Sequence, residues 1–141
     1  ATVYAIVGDG ESQEGQVWEA AMFAASKGLG NLVGFTDYNK LQIDGTVAQV
    51  NDIAPLADKW AAFGWNVIDL PDGNDVEAIY DAVQLAYDVK GKPTCIVLNT
   101  VKGKGATFAE PTGAHSSQPT PEQWDEAIKA SEAAFAAVKA Q

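Results

Sequence analysis

The sequence predicts an α/β fold in which helices flank a parallel β-sheet. Four apolar, strand-length runs rich in β-branched residues occupy residues 2–7, 31–36, 65–70 and 94–99. Between them lie segments with the apolar periodicity of amphipathic helices. Strands that alternate with helices need crossover connections, which place the strands parallel in one sheet with helices on its faces.

The first predicted strand is a continuous apolar run, Thr-Val-Tyr-Ala-Ile-Val at residues 2–7. Continuous runs are typical of strands that are buried on both faces of a parallel sheet. Such a strand needs neighbours on both of its edges. Because the sequence opens on this run, we expect the chain to be a fragment or to be covered here by a partner.

Three helices are predicted between the strands. The first begins after Gly15 and ends at Gly28, since glycine commonly follows the last turn of a helix. The second ends at Gly64, and the third follows Asp75 and ends near Gly91. Their apolar stripes are Val17, Ala20, Ala21, Ala24 and Ala25; Ile53, Leu56, Ala57, Trp60, Ala61 and Phe63; and Val76, Ile79, Tyr80, Val83, Leu85 and Ala86.

The C-terminal part has a different composition. Residues 102–121 are rich in glycine, proline, serine and threonine, which predicts a long loop of functional or disordered character. A last helix is expected from Pro121 to about Val138, with proline at its first position. No repeat and no second domain is predicted.

Composition narrows the classes of function. Hydrophobic residues make up 47% of the 141-residue chain and charged residues 20%, enough apolar mass for one core. The net charge of −10 argues against binding to nucleic-acid backbones or anionic membranes. One cysteine excludes an intrachain disulfide, and no apolar run approaches the roughly 20 residues of a membrane span. We expect a soluble, cytoplasmic domain.

Polar residues follow the first two predicted strands. Gly8-Asp9-Gly10-Glu11 follows the first, and Asp37-Tyr38-Asn39 follows the second. Parallel sheets bind ligands beyond the carboxyl ends of their strands, and adjacent strands lie about 5 Å apart. Asp9 and Asn39 can therefore converge on one ion. A carboxylate and an amide oxygen suit Mg²⁺ or Ca²⁺.

The glycines that flank Asp9 allow the backbone to approach a phosphate, and the following helix offers N–H donors. The residues thus indicate a metal–diphosphate site. A strand-to-helix turn capped by Asp9 remains the alternative. The dinucleotide fingerprint is excluded because Gln13 stands at its third glycine, and no Gly-Lys-Ser/Thr of a P-loop follows. Leu41 and Gln42 depart from a calcium-binding loop.

The spacing carries a family resemblance. Asn39 follows Asp9 by thirty residues, and this Gly-Asp-Gly to Asn spacing resembles the motif of thiamine diphosphate enzymes. The stretch GDGESQEGQVWEAA at residues 8–21 is similar to the transketolase family, especially the short N-terminal subunits of split transketolases. Residues 37–45, 59–65 and 100–105 resemble further blocks of that family. The resemblance runs from residue 1 to about residue 125.

The resemblance implies thiamine diphosphate and Mg²⁺ as cofactors, with Ca²⁺ as a possible substitute. The implied metal ligands are the Asp9 and Asn39 side chains and the Leu41 carbonyl. The remaining implied cofactor contacts are Gly8, Gly10, Glu11, Asn39, Ile43, Val101 and His115.

Two residues are implied as catalytic, Glu14 and His115. Glu14 and Glu19 match acidic residues near the dimer interface that support the activating glutamate of a partner domain. His115 matches a histidine near the diphosphate and the substrate channel, although Ser116 stands where the family has glycine. Without the resemblance, both glutamates are first-turn acids favoured by the helix dipole.

The implied function is that of a transketolase, which transfers a two-carbon ketol unit from a ketose phosphate to an aldose phosphate. Residues 1–141 would form the C-terminal part of its diphosphate-binding domain. The expected partners are sugar phosphates, a pyrimidine-binding domain or subunit, and further copies in a homo-oligomer or heterotetramer. We expect the chain alone to be inactive. The alternatives are another thiamine diphosphate enzyme, such as a 2-oxo acid dehydrogenase subunit or a deoxyxylulose-phosphate synthase, and a non-catalytic fragment.

Overall fold

A computed structural model describes residues 1–110 and 118–139 of the chain. The elements are, in order, β1 (Val3–Gly8), a 3₁₀ turn (Glu11–Gln13), α1 (Gly15–Ser26), β2 (Leu32–Asp37), β3 (Leu41–Gln42), β4 (Gly45–Thr46), α2 (Val47–Asn51), α3 (Leu56–Ala62), β5 (Asn66–Leu70), α4 (Val76–Asp88), β6 (Thr94–Leu98) and α5 (Pro121–Lys139).

Four strands form one parallel sheet in the order β1-β2-β6-β5. This confirms the predicted α/β fold, and each predicted strand lies within one residue of the observed one. Strands β3 and β4 form a separate two-residue antiparallel hairpin. The sequence pattern missed this hairpin and the short helix α2, because neither is long enough to show a period.

Helices pack on both faces of the sheet and bury its central strands β2 and β6. On one face α1, α2 and α3 enclose a core of Ala21, Ala24, Val47, Ile53, Leu56, Trp60, Trp65, Cys95 and Val97. On the other face α4 packs on β2 and β6 through Ala82, Ala86, Val33 and Ile96. Small alanine side chains let α4 lie close to the sheet. Val76, Tyr80 and Leu85 of the predicted α4 stripe are exposed instead, so that part of the prediction was wrong.

Aromatic rings organise the first core. Trp18 packs against Trp60 and Phe63, each with 5.1 Å between ring centroids, and Trp60 meets Trp65 edge-on at 4.9 Å. The Trp65 indole donates to the Ala21 carbonyl at 3.0 Å. These rings hold α1 and α3 to the sheet as core packing.

Strand β1 departs from the prediction. Its sequence predicts burial on both faces, yet Val3, Tyr4 and Ile6 are exposed. The reason is its position: β1 is the outermost strand in the described residues, with β2 on one side only.

The structure separates into two compact units, residues 1–100 and 101–141. In the second unit, Phe108 meets Trp124 edge-on at 5.9 Å, and the Thr107 hydroxyl donates to Glu126 at 3.4 Å. Helix α5 begins at Pro121, as predicted. None of the described helices is both long and apolar enough to cross a membrane.

Cys95 provides a test of the first core. Its thiol is fully buried 3.7 Å from the Thr36 hydroxyl, and burial raises its pKa to about 12. At pH 8 the native thiol is therefore protonated and shielded, whereas the thiolate is the reactive form. We expect Ellman's reagent to leave the native chain unmodified and to titrate one thiol per chain in guanidinium chloride. Prompt stoichiometric reaction of the native chain would contradict this packing.

Candidate functional site

The two polar segments predicted from the sequence lie side by side at one edge of the sheet. Gly8 pairs with Asp37 at the carboxyl ends of β1 and β2, and the Asp9 amide donates to the Asp37 carbonyl at 3.0 Å. The next amide along, that of Tyr38, donates to the Leu98 carbonyl of β6 at 2.8 Å. The sheet ladder itself thus brings the Asp9 and Asn39 segments together.

Asp9 is the centre of this arrangement. Its side chain is 2% exposed, and both carboxylate oxygens accept backbone hydrogen bonds. One accepts from the Gly10 amide at 2.7 Å and the other from the Lys40 amide at 2.5 Å. A buried carboxylate is costly unless hydrogen bonds compensate it. Asp9 therefore ties the turn after β1 to the segment after β2.

The contact to Asp9 depends on an unusual backbone conformation. Lys40 has a φ of +67°, in the left-handed region that residues other than glycine rarely adopt. The conformation aims the Lys40 amide at Asp9, while the Lys40 carbonyl accepts from the Val47 amide at 3.0 Å. The local strain is thus offset by hydrogen bonds on both sides of the residue.

The Asp37 side chain and the Leu41 backbone amide fix the Asn39 amide, and Thr100 in turn bonds Asp37. Its Nδ2 donates to Asp37 at 3.2 Å, and its Oδ1 accepts from the Leu41 amide at 3.0 Å. The Thr100 hydroxyl donates to the other oxygen of Asp37. Because Asp37 only accepts, it selects the amide nitrogen and leaves the oxygen facing the hairpin. Sequence reasoning noted Asp37 only as part of the polar cluster and missed Thr100.

The hairpin β3–β4 closes over the turn after β1. A Cβ atom placed on Gly10 would lie 2.9 Å from Oε1 and 3.3 Å from Cβ of Gln42. Gly10 has an ordinary helical φ of −62°, so close approach rather than conformation explains this glycine. At Gly8 a Cβ would meet nothing within 4 Å, so the backbone there borders open space.

Side chains of the 3₁₀ turn form hydrogen bonds with the Gly-Asp-Gly segment. Glu11 accepts from the Gly8 amide at 3.2 Å, and the buried Ser12 hydroxyl donates to the Gly8 carbonyl at 2.8 Å. The Trp18 indole then donates to the Ser12 carbonyl at 2.8 Å. Sequence reasoning missed Ser12, although a hydroxyl residue just before a helix is a common sign of a backbone-bonding role.

The electrostatics of the site are negative. Burial raises the pKa of the Tyr38 phenol, and the charges of Asp52, Asp9 and Asp69 raise it further. The Lys40 ammonium lies 5.3 Å from the Tyr38 ring centroid. Tyr38 is partly buried, so the charge around it is set by these three carboxylates together with the Lys40 ammonium.

The other predicted site residues have the following places. Leu41 is half-buried in β3, and Ile43 is 76% exposed in the turn between β3 and β4. Glu14 precedes α1 and Glu19 lies on it, both exposed. Val101 belongs to the second unit. His115 lies outside the described residues.

The described residues contain no group of three or more His, Cys, Asp or Glu side chains that could hold a metal. The predicted donor set includes one residue of those types, Asp9. Its other donors are the amide oxygen of Asn39 and the backbone carbonyl of Leu41. Such oxygen donors suit Mg²⁺, which takes few protein ligands and retains oxygens from water or phosphate.

The family model described as "Transketolase, thiamine diphosphate binding domain" matches residues 1–136. The chain is 52% identical over 128 residues to the 6-deoxy-6-sulfo-D-fructose transketolase subunit SqwG of Clostridium sp. (strain MSTE9), covering 90% of this chain and 46% of that protein. It is 38% identical over 127 residues to one subunit of the apulose-4-phosphate transketolase of Phocaeicola vulgatus, covering 89% and 45%.

Solved structures that resemble this chain are also transketolases. A transketolase from Campylobacter jejuni superposes with a TM-score of 0.78 at 32% identity, covering 95% of this chain and 20% of that one. A transketolase from Leishmania mexicana superposes with a TM-score of 0.71 at 33% identity, covering 75% of this chain and 16% of that one. This chain spans a little under half the length of the two subunits named above.

The strained residue Lys40 yields a stability test. A β-branched side chain tolerates the left-handed region poorly, so Lys40→Val should lower the free energy of unfolding by about 1–2 kcal/mol. Lys40→Gly should stay within about 0.5 kcal/mol of the wild type, because relief of strain offsets the entropy of glycine. Denaturant unfolding measures both.

Lys27→Val is the matched control for this test. Lys27 also lies over an aromatic ring, 5.6 Å from the Phe23 centroid, but has an ordinary φ of −91°. Equal losses for the two valine variants would show that the Lys40 conformation carries no special cost.

Proposed function

The chain belongs to the thiamine diphosphate-binding domain family of transketolases, and from this premise we propose that it is the Mg²⁺–diphosphate anchor of a transketolase subunit. The whole enzyme would transfer a two-carbon ketol unit from a ketose phosphate to an aldose phosphate. The observation that carries the proposal is the buried Asp9 carboxylate, held beside Asn39 by the ends of β1 and β2.

The residues present fit the metal. Asp9 would supply a carboxylate oxygen, Asn39 its amide oxygen and Leu41 its backbone carbonyl. Asp37 and Thr100 support this role because their hydrogen bonds orient the Asn39 amide before any ion arrives. Partners that orient a ligand in this way commonly affect metal affinity about 10–100-fold.

The same edge of the sheet fits a diphosphate. The open space beside Gly8 leaves room for phosphate oxygens, and the Gly10 backbone lies next to the metal ligand Asp9. Thiamine diphosphate, when bound, supplies the carbanion chemistry of ketol transfer. Ile43 would contact its thiazolium ring from the tip of the hairpin, where the side chain is exposed.

The remaining proposed residues serve the assembled enzyme. Glu14 and Glu19 are exposed on and before α1, so a partner domain can reach them. We assign them to the support of the activating glutamate that such a domain would carry. Val101 is proposed as a second apolar contact to the cofactor, and His115 as a contact to the diphosphate and the substrate.

The names of two relatives support a proposal for the substrate class. One relative is named for a sulfonated ketose and another for a ketose phosphate. We propose an anionic ketose as donor, in the form of a ketose phosphate, together with an aldose phosphate acceptor. Assays of the chain assembled with its partner subunit, with fructose 6-phosphate or 6-deoxy-6-sulfofructose as donor, would separate the two anions.

Removal of the metal ligands tests the proposed anchor. Asp9→Ala and Asn39→Ala should each weaken Mg²⁺-dependent binding of thiamine diphosphate at least about tenfold. Tryptophan fluorescence of the 141-residue chain measures this binding. Asp44→Ala is the matched control. This exposed acid lies in the turn of the β3–β4 hairpin and is not one of the proposed metal ligands. Wild-type affinity in a folded Asp9→Ala or Asn39→Ala variant would contradict the proposal.

The isolated chain should not catalyse ketol transfer. It holds the proposed metal anchor but spans less than half of a relative's length, and an activating glutamate would come from a partner domain. With thiamine diphosphate, Mg²⁺ and both sugar phosphates present, we expect no ketol transfer above the background without protein. Turnover by the purified 141-residue chain would show that the missing parts are dispensable.

A further inference from the structure

The hairpin β3–β4 is too short to hold its own position. Its two residue pairs are Leu41 with Thr46 and Gln42 with Gly45. A two-stranded hairpin is marginally stable by itself in water. The side chain at its tip, Ile43, is 76% exposed, so packing does little to fix the tip. The position of the hairpin must therefore come from contacts at its base and along its sides.

The base of the hairpin is fixed to the sheet. The Lys40 amide donates to Asp9, and the Lys40 carbonyl accepts from the Val47 amide at 3.0 Å. Val47 is 2% exposed and belongs to the first core. Because Lys40 and Val47 flank the hairpin at one end, these contacts leave its inclination towards Asp9 to other residues.

Two further contacts join the hairpin and α2 to the segment that follows Asp9. Gln42 of β3 lies against Gly10, where an added Cβ would be 2.9 Å from Oε1 of Gln42. On the far side, Nε2 of Gln13 donates to the Asn51 carbonyl at 2.9 Å. Gln13 ends the 3₁₀ turn, and Asn51 is the last residue of α2. The segment after Asp9 therefore holds both the hairpin and the helix that follows it.

Helix α2 connects the Gln13 contact to the hairpin. Thr46 is the last residue of β4 and also the N-cap of the five-residue helix α2. Its hydroxyl accepts from the Gln49 amide at 3.2 Å, and the Gln49 side chain accepts from the Thr46 amide at 3.4 Å. Since no loop separates β4 from α2, a displacement of the helix end is passed on to the hairpin.

The Gln13 side chain bridges a cleft. A cavity of about 500 Å³ lies between the 3₁₀ turn and the connection of residues 51–53 to α3, lined by Ser12, Gln13, Trp18, Asn51, Ile53 and Phe63. On the α3 side, the Lys59 ammonium donates to the Ile53 carbonyl at 2.8 Å. Lys59 thus ties this connection to α3, whereas Gln13 ties it to the Gly-Asp-Gly segment.

We propose that Gln13 is a positioning residue for cofactor binding, which sets the hairpin, and thereby Ile43, relative to Asp9. The inference rests on the proposed function, in which Asp9 anchors the metal and diphosphate and Ile43 contacts the thiazolium ring. Gln13 acts through α2 and the hairpin rather than by touching the cofactor. Its loss therefore weakens recognition of the ring and spares recognition of the diphosphate.

Two ligands separate these effects. Thiamine diphosphate carries the ring, whereas inorganic diphosphate lacks it, and calorimetric titration of the 141-residue chain in Mg²⁺ measures both affinities. Gln13→Met keeps the side-chain length and removes the donor. It should weaken thiamine diphosphate binding about fivefold, as expected for one hydrogen bond, and leave inorganic diphosphate within about twofold. Ile43→Ala should show the same pattern, whereas Asp9→Ala should weaken both ligands.

Lys59→Met is the matched control, because it removes a donor to a nearby carbonyl of the same connection. It should keep the ratio of the two affinities within about twofold of the wild type. Gln13→Lys again offers a donor to Asn51 and should restore that ratio. Thermal unfolding of each variant checks its folding. An equal change of the ratio in Gln13→Met and Lys59→Met would overturn the inference, since any loosening of the connection would then suffice.

Amide hydrogen exchange tests the positioning without any ligand. The Val47 amide bonds at the hairpin base and the Gln49 amide in the α2 cap. Both should exchange about fivefold faster in Gln13→Met. The Asp9 and Tyr38 amides, which donate to neighbouring strand ends, should change by less than about twofold. Unchanged exchange at Val47 and Gln49 would overturn the inference.

The outcomes distinguish the inference from the proposed function. A wild-type chain that binds neither ligand in Mg²⁺ would refute the proposed anchor, and the exchange measurement would still decide whether Gln13 positions the hairpin. Equal weakening of both ligands by Gln13→Met would overturn the inference alone, because Gln13 would then act on the anchor itself. Wild-type affinity for thiamine diphosphate in folded Gln13→Met would overturn it as well.

Discussion

The structure around the candidate site depends on one buried carboxylate. Asp9 lies at the end of β1 and accepts hydrogen bonds from the Gly10 and Lys40 amides, so a single side chain joins the segments that follow two neighbouring strands. A charge buried in this way is tolerated only while those donors stay in place. The left-handed backbone of Lys40 and the hydrogen bonds at Asn39 follow from this requirement. The candidate site is therefore largely organised by the chain's own hydrogen bonds, which would reduce the free-energy cost of binding an ion and a diphosphate.

The candidate site lies at the outer edge of the sheet that the described residues form. Asp9 terminates β1, and β1 is the outermost strand in the described part of the chain.

Much of the fold could be predicted from short-range patterns in the sequence. The four strands, their parallel arrangement and the glycine-terminated helices could be predicted because apolar runs and glycines at helix ends reflect local physics. The exposure of Val76, Tyr80 and Leu85 could not, since alanines at Ala82 and Ala86 rather than large side chains set the packed face of α4. The short helix α2 was missed, although Thr46 and Gln49 at its start form a capping box whose Thr-x-x-Gln pattern is visible in the sequence. Within the candidate site, the roles of Asp9 and Asn39 were predicted from spacing and stay a prediction, whereas the contacts of Lys40 and Thr100 depend on a turn and on a strand far along the chain. The placement of β1 at an edge depends on which strands are present, which no local pattern records.

The proposed function requires that Asp9, Asn39 and Leu41 bind a divalent cation together with thiamine diphosphate. The most direct measurement is paramagnetic broadening of backbone amide resonances by Mn²⁺, used in place of Mg²⁺, with and without thiamine diphosphate. The account predicts that broadening centres on the amides of Gly10, Lys40 and Leu41 and strengthens when the cofactor is added. Broadening centred on exposed acidic residues elsewhere, unchanged by the cofactor, would contradict it.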